Sequence, residues 1–132
     1  MVNYCDQVSL VRPVLIIEDD PDIAEVLRYA LEKEAFKTRV ALTGEEGLYA
    51  SLDLLNPPSL ILLDLLLPGM KGAEICRRLR REPATRDTPI VIISAKPIGT
   101  ELFVTRVLGA DDYIVKPFSL REVVARVRSL VV

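Results

Sequence analysis

Val14-Leu15-Ile16-Ile17-Glu18-Asp19-Asp20-Pro21 runs four aliphatic side chains straight into three acids and a proline. Aliphatics without alternation read as a strand covered on both faces, as in a parallel sheet. Asp20 before Pro21 reads as the N-cap of a helix. Its carboxylate can accept from the unpartnered first-turn amides, and proline at the first position has no amide to lose. The stretch is a strand that delivers acids at its carboxyl end and turns into a helix.

The same unit recurs outward along the chain. Further short apolar runs stand at Thr38–Ala41, Leu60–Leu63, Ile90–Ile93 and Tyr113–Val115. Between them lie helical patterns. Ile23, Leu27, Ala30 and Leu31 share one face after Pro21, and Thr43-Gly44-Glu45-Glu46 reads as a capping box with Leu48, Leu52 and Leu55 inward. Asn56-Pro57-Pro58 ends that helix, because proline lacks a donor and clashes with the preceding turn. A third helix follows Gly72, with Ile75, Cys76 and Leu79 inward, and stops near Pro83. A fourth spans Thr100 to Leu108 with Gly109 as its C′ residue, and a last one runs from Ser119 to the end with Leu120, Val123, Val124, Val127 and Leu130 as its stripe. Strands alternating with helices predict an α/β domain, a doubly wound five-stranded parallel sheet with helices on both faces. Residues 12–132 read as that single domain, behind a tail of residues 1–11.

Composition narrows the chemistry. The 132 residues are half hydrophobic, with 17 basic and 19 acidic side chains and no histidine. A net charge of −2 gives no whole-chain attraction to nucleic acid or anionic lipid. Without histidine there is no Ser-His-Asp or Cys-His catalysis and no imidazole zinc site. Cys5 and Cys76 form no metal spacing or disulfide framework and read as reduced thiols. The start has no signal-peptide pattern, and the longest apolar run, Leu60–Leu67, is broken by Asp64 and too short for a membrane span. A cytoplasmic domain is expected.

In doubly wound sheets ligands bind beyond the carboxyl ends of the strands. Glu18, Asp19 and Asp20 follow the first strand, Asp64 ends the third, Ser94 the fourth, and Lys116-Pro117 the fifth. Carboxylates gathered at one edge repel and suit Mg²⁺, which takes oxygen ligands and keeps several waters. A lysine and a hydroxyl beside them can receive an anion, a set that fits phosphoryl transfer with an aspartate nucleophile. Singly these residues are ordinary: Asp20 reads as a cap, Ser94 as a turn residue and Lys116 as a solvated charge. Asp64 differs because it interrupts an apolar run, where an unpartnered carboxylate is costly.

These blocks, with Asp64-Leu65-Leu66-Leu67-Pro68-Gly69-Met70-Lys71-Gly72 and Gly109-Ala110-Asp111-Asp112-Tyr113-Ile114-Val115-Lys116-Pro117-Phe118, make the sequence from about residue 12 to 132 resemble the receiver domain of two-component response regulators. The resemblance implies a flavodoxin-like (CheY-like) sheet in the order 2-1-3-4-5. It implies that Asp64 accepts a phosphoryl group from the histidine of a sensor histidine kinase or phosphotransfer protein. Mg²⁺ would be held by Asp19, Asp64, the Leu66 backbone carbonyl and, through a water, Glu18. Lys116 would pair with the phosphoryl group, Ser94 would hydrogen-bond it, and the Leu65 and Ala95 amides would support its oxygens. Tyr113 would turn inward as Ser94 moves, remodelling the helix 4–strand 5–helix 5 face. The Lys116-Pro117 bond is cis in relatives.

Some residues depart from the family pattern. Leu66 and Lys96 stand at the two positions that tune self-dephosphorylation in relatives, and apolar Leu66 cannot orient a water, so a long-lived phosphoryl group is expected. Pro97 and Gly99 sit in the loop after Ser94. The fourth helix carries Leu102, Phe103, Val104, Val107 and Leu108. Two readings stay open for these side chains, packing on the sheet or a homodimer through the helix 4–strand 5–helix 5 face. Asp112, Glu122 and Arg126 match the salt-bridge pattern of such dimers. Arg77, Arg78, Arg80, Arg81 and Arg86 read as a solvated helix face with no aromatic to stack on bases, so no direct nucleic-acid binding is expected. A haloacid-dehalogenase-type phosphatase would need a second Asp where Leu66 stands. An FMN carrier would need a hydroxyl-rich phosphate loop in place of Glu18-Asp19-Asp20. A pseudo-receiver, a binding module that is not phosphorylated, is disfavoured by the joint presence of Glu18, Asp19, Asp64, Ser94 and Lys116. The domain is expected to assist its own phosphorylation without being a turnover enzyme.

Overall fold

A computed structural model describes residues 12–95 and 103–131. Strands β1 (Val14–Ile17), β2 (Thr38–Ala41), β3 (Leu60–Asp64), β4 (Ile90–Ser94) and β5 (Asp112–Val115) form one sheet in the order β2-β1-β3-β4-β5. Every pairing is parallel, with Val14 opposite Thr38 and Leu60, Ile61 opposite Ile90, and Ile92 opposite Tyr113. The helical segments are α1 (Pro21–Lys33), α2 (Gly44–Ser51), α3 (Gly72–Arg81), α4 (Phe103–Val107) and α5 (Leu120–Leu130).

Strand parity decides which helices go where. Val14, Ile16, Leu60, Leu62, Val91 and Ile93 face the side covered by α1 and α5, through Leu27, Leu31, Val123 and Val127. Leu15, Ile17, Ile61, Leu63, Ile90 and Ile92 face Ala50, Ile75, Leu79, Val104 and Leu108 of the other three helices and the turn beyond α4. Both faces are apolar because both are covered, which explains the lack of alternation in the sequence. At Gly47 a Cβ would meet Ile17 Cδ1 at 2.5 Å, so α2 lies directly on β1.

The caps explain the helix starts. Asp20 Oδ1 accepts from the amides of Asp22 (2.9 Å) and Ile23 (3.4 Å), and Ser119 Oγ from Glu122 (3.0 Å). Thr43 Oγ1 accepts from Glu46 (3.1 Å), but the Glu46 carboxylate reaches back to the Leu42 amide at 3.3 Å, one residue before the cap itself.

Several expectations need correction. Leu55 does not face the core and is 96% exposed. Helix α2 stops at Ser51, and Asp53 Oδ1 takes the amides of Leu55 (3.0 Å) and Asn56 (3.3 Å), turning the chain outward. Leu120 is exposed as the first residue of α5, leaving the core to Val123, Val124 and Val127. Helix α4 ends before Gly109 (φ +79°), as expected, but Phe103–Val107 is wound as a π-helix, with the Leu108 amide donating to the Phe103 carbonyl at 3.1 Å. Cys5, Lys96, Pro97, Gly99, Thr100 and Leu102 lie outside the described residues. Among the described residues no helix is long and apolar enough to cross a membrane.

Arg80 does not belong to the solvated face on which Arg77, Arg78, Arg81 and Arg86 lie exposed. It is largely covered, donating to the Gly109 carbonyl and pairing with Asp111. Arg126 Nη1 bonds both carboxylate oxygens of Asp112, an ion pair made within the chain.

Candidate functional site

Parallel strands end at one edge, and backbone pairing carries their alignment past the last strand residues. The Glu18 amide donates to the Ala41 carbonyl (3.1 Å), Leu65 to Ile93 (3.2 Å) and Lys116 to Ser94 (2.9 Å). This brings Glu18, Asp64, Ser94 and Lys116 to one rim although they are spread along nearly the whole chain. Glu18 is 3% exposed and Asp64 5%, Ser94 is buried, and Asp19 is exposed beside them.

Lys116 holds the two buried carboxylates together. Its Nζ lies 3.2 Å from Asp64 Oδ2 and 3.4 Å from Glu18 Oε2. The Lys116-Pro117 peptide bond is cis. Asp64 Oδ1 accepts from the Leu66 amide at 2.9 Å, and Glu18 Oε1 from the Asp20 amide at 3.3 Å. The Leu65 amide is engaged by Ile93, because strand pairing continues one residue beyond β3, and the amide at the carboxylate is that of Leu66.

The electrostatics show a surplus of negative charge. Burial pushes the Glu18 carboxyl up to about 7; neighbouring Asp64 adds to the rise and Lys116 only partly offsets it. Burial by itself would lower the Lys116 ammonium, but the charges of Asp64 and then Glu18 outweigh it and hold it above its ordinary value. One lysine does not balance the rim. Oxygen atoms of Glu18, Asp19 and Asp64 lie within 4.8 Å of one another and could hold a metal ion. All are hard oxygen donors, so the group fits Mg²⁺ better than a soft metal.

The surroundings complete the picture. A Cβ on Gly72 would meet the Asp64 carbonyl oxygen at 2.4 Å and Leu65 Cα at 2.8 Å, so α3 starts hard against the backbone carrying the aspartate. Tyr113 is buried in the cluster with Val104, Leu108 and Ala110. Ala95, directly after Ser94, is exposed, and so is Leu66.

A sequence model of the response regulator receiver domain matches residues 14–128, which covers every rim residue. This chain belongs to that family. The receiver domain is 40% identical over 117 residues to the phosphate regulon transcriptional regulatory protein PhoB of Rhizobium meliloti, covering 89% of this chain and 51% of that protein. It is 44% identical over 116 residues to the DNA-binding response regulator MtrA of Mycolicibacterium smegmatis, covering 88% of this chain and 49% of that one. The chain therefore spans about half the length of these curated relatives. Among solved structures, the Francisella response regulator 1452 receiver domain superposes with a TM-score of 0.80 at 31% identity, covering 90% of this chain and 95% of that one. The Vibrio cholerae chemotaxis protein CheY4 (TM-score 0.82, 21% identity, 91% and 98% covered) shares the fold. The receiver domain is a part of two-component signalling, and its sheet order is the one the resemblance implied.

Sequence reasoning found each rim residue because each follows an apolar run. It missed Gly72 as the residue that seats Asp64, although a glycine at the start of a helix was a visible signal. It also missed Arg80, whose partners come from loops that carry no pattern.

Proposed function

We propose that this receiver domain accepts a phosphoryl group on Asp64 from the phosphohistidine of a sensor histidine kinase or phosphotransfer protein. The observation that carries this reading is a buried aspartate at a strand end with an ammonium 3.2 Å from its Oδ2 and two further carboxylates within metal-sharing distance. An Asp64 carboxylate oxygen attacks phosphorus, the N–P bond of the partner breaks, and its electron pair stays on the imidazole nitrogen. Reactions of this kind depend on positioning and charge neutralisation more than on acid–base chemistry.

Asp19, Asp64 and the Leu66 carbonyl would hold Mg²⁺, with Glu18 acting through a water; the ion neutralises charge on the phosphoryl oxygens. Lys116 supplies the second positive charge and is already positioned by Asp64 and Glu18. The Leu66 amide beside Asp64, the Ala95 amide and the Ser94 hydroxyl are the donors for the oxygens. The bond from Ser94 exists only in the phosphorylated state, so it can shift a two-state equilibrium. Tyr113 and the face of α4, β5 and α5 are the elements it would move, and they control an output in the cytoplasm.

The test is incubation with a small phosphodonor, with and without Mg²⁺, followed by intact mass. One phosphoryl mass is expected with Mg²⁺, and none in Asp64→Asn. An unphosphorylated wild type, or equal gain in Asp64→Asn, would reject the reading and favour a binding module.

A further inference from the structure

Arg80 is the one arginine of α3 that turns inward, and its contacts all fall on loops at the far end of the sheet from Asp64. Its Nε donates to the Gly109 carbonyl at 2.8 Å, Nη1 to the carbonyls of Thr88 (2.7 Å) and Arg86 (3.1 Å), and Nη2 pairs with Asp111 Oδ2 at 2.9 Å. Asp111 Oδ2 also takes the Ile90 amide (2.8 Å), and the Asp111 amide donates back to the Ile90 carbonyl (2.8 Å). One planar fork thus ties α3, the turn before β4 and the connection from α4 to β5 into a unit, which a lysine ammonium cannot reproduce.

The carboxyl end of α4 is held by further bonds. The Cys76 thiol donates to the Leu108 carbonyl at 3.2 Å, and the Ala110 amide to the Val104 carbonyl at 2.9 Å. Gly109 adopts φ +79°, and a Cβ there would touch Arg80 Cγ and Nε at 3.4 Å. The body of α4 contrasts with this anchored end. It is π-wound, a rare register found frequently at functional sites, and it exposes Phe103 and Val107. Its other end is joined by chain to Ser94 and Ala95 at the rim.

We propose that Arg80 is the fixed pivot of α4: the helix rewinds between a moving end linked to Ser94 and an end that Arg80 holds at Gly109. Arg80 is a positioning residue and touches no reacting atom. A displacement at Ser94 then reorients Phe103 and Val107 without sliding the whole helix. The inference rests on the phosphoacceptor reading, which supplies the displacement.

The experiment is residue-resolved amide exchange on the whole chain, with and without a small phosphodonor and Mg²⁺, with intact mass taken on the same samples. In the phosphorylated wild type, exchange should change at least severalfold across residues 104–108 while Asp111, whose amide bonds the Ile90 carbonyl outside α4, keeps its rate. In Arg80→Lys, which keeps the charge and loses the fork, Asp111 should exchange roughly tenfold faster and should also respond to phosphorylation. If phosphoryl mass is present and Asp111 changes as much as α4 in the wild type, the pivot is overturned. It is equally overturned if Arg80→Lys behaves like the wild type. Absence of phosphoryl mass overturns the phosphoacceptor reading and the pivot's trigger with it. Should Arg80→Lys not fold, the wild-type comparison decides.

Discussion

Lys116 Nζ stands 3.2 Å from Asp64 Oδ2, although 52 residues separate the two in the chain. The lysine also pairs with Glu18, so it joins the ends of β1, β3 and β5. Removing it leaves two buried carboxylates facing each other. In Lys116→Met, phosphorylation by a small donor should slow by roughly a hundredfold or more. Mg²⁺ affinity, read by titration calorimetry, should stay equal or rise, since a competing cation is gone. Loss of Mg²⁺ binding would show that Lys116 organises the metal site instead.

Leu66 is 53% exposed and presents only methyl groups next to the aspartate. It has nothing with which to align a hydrolytic water. The phosphorylated protein, freed of donor and followed by intact mass, should therefore outlast minutes, and Leu66→Asn should shorten its lifetime severalfold. A half-life of seconds in the wild type contradicts this.

Gly72 leaves no room for a side chain, since its Cβ would collide with backbone and not with a movable tip. Gly72→Ala should cost about 2 kcal/mol of stability as α3 is pushed away. It should also slow phosphorylation by displacing Asp64, whereas Gly47→Ala, which clashes with Ile17 side-chain atoms under α2, should lower stability with a smaller effect on the rate. Denaturant unfolding and mass time courses separate the two effects.

Ala35 sits at φ 69°, just after the C-cap of α1, and is exposed. A Cβ in this left-handed conformation costs on the order of 1 kcal/mol. Ala35→Gly should consequently raise the thermal midpoint by a few degrees, where the same change in a helix interior would lower it. A lower midpoint would count against the assigned backbone conformation.

Burial pushes the Cys76 thiol up to about 11; Asp111 adds to the rise while Arg80 and Arg77 oppose it. A group whose folded value is raised favours the fold below its unfolded value and loses that contribution as pH climbs through the folded one. From pH 9 to about 11 the wild type should lose on the order of 2 kcal/mol relative to Cys76→Ala. Parallel stability curves for the two proteins across that window would contradict the burial. At neutral pH the native thiol should resist alkylation.

Much of the fold was legible in sequence. Runs such as Val14–Ile17 and Leu60–Leu63 marked strands because a sheet covered on both faces needs no polar alternation. Caps at Asp20 and Thr43 marked helix starts because unpartnered amides demand an acceptor, while Ser119 proved to be a cap only in the structure. Leu55 misled because leucine is apolar wherever it sits, and only the Asp53 turn sent it outward. The π winding of α4 left no trace in periodicity, since five residues are too few to tell a 4.4-residue turn from a 3.6-residue one.

The rim followed from sequence alone: local order places an acid, a serine or a lysine at each strand's end, and parallel strands must end together. What tertiary structure decided were the quantities that depend on neighbours far along the chain. Lys116 meets both Asp64 and Glu18, the Leu66 amide and not that of Leu65 reaches the carboxylate, and burial lifts Glu18 to about 7. Arg80 became an anchor for the same reason. Periodicity reports which face a residue occupies, but hydrogen bonds across loops and the loss of water around a charge exist only once the distant segments have packed.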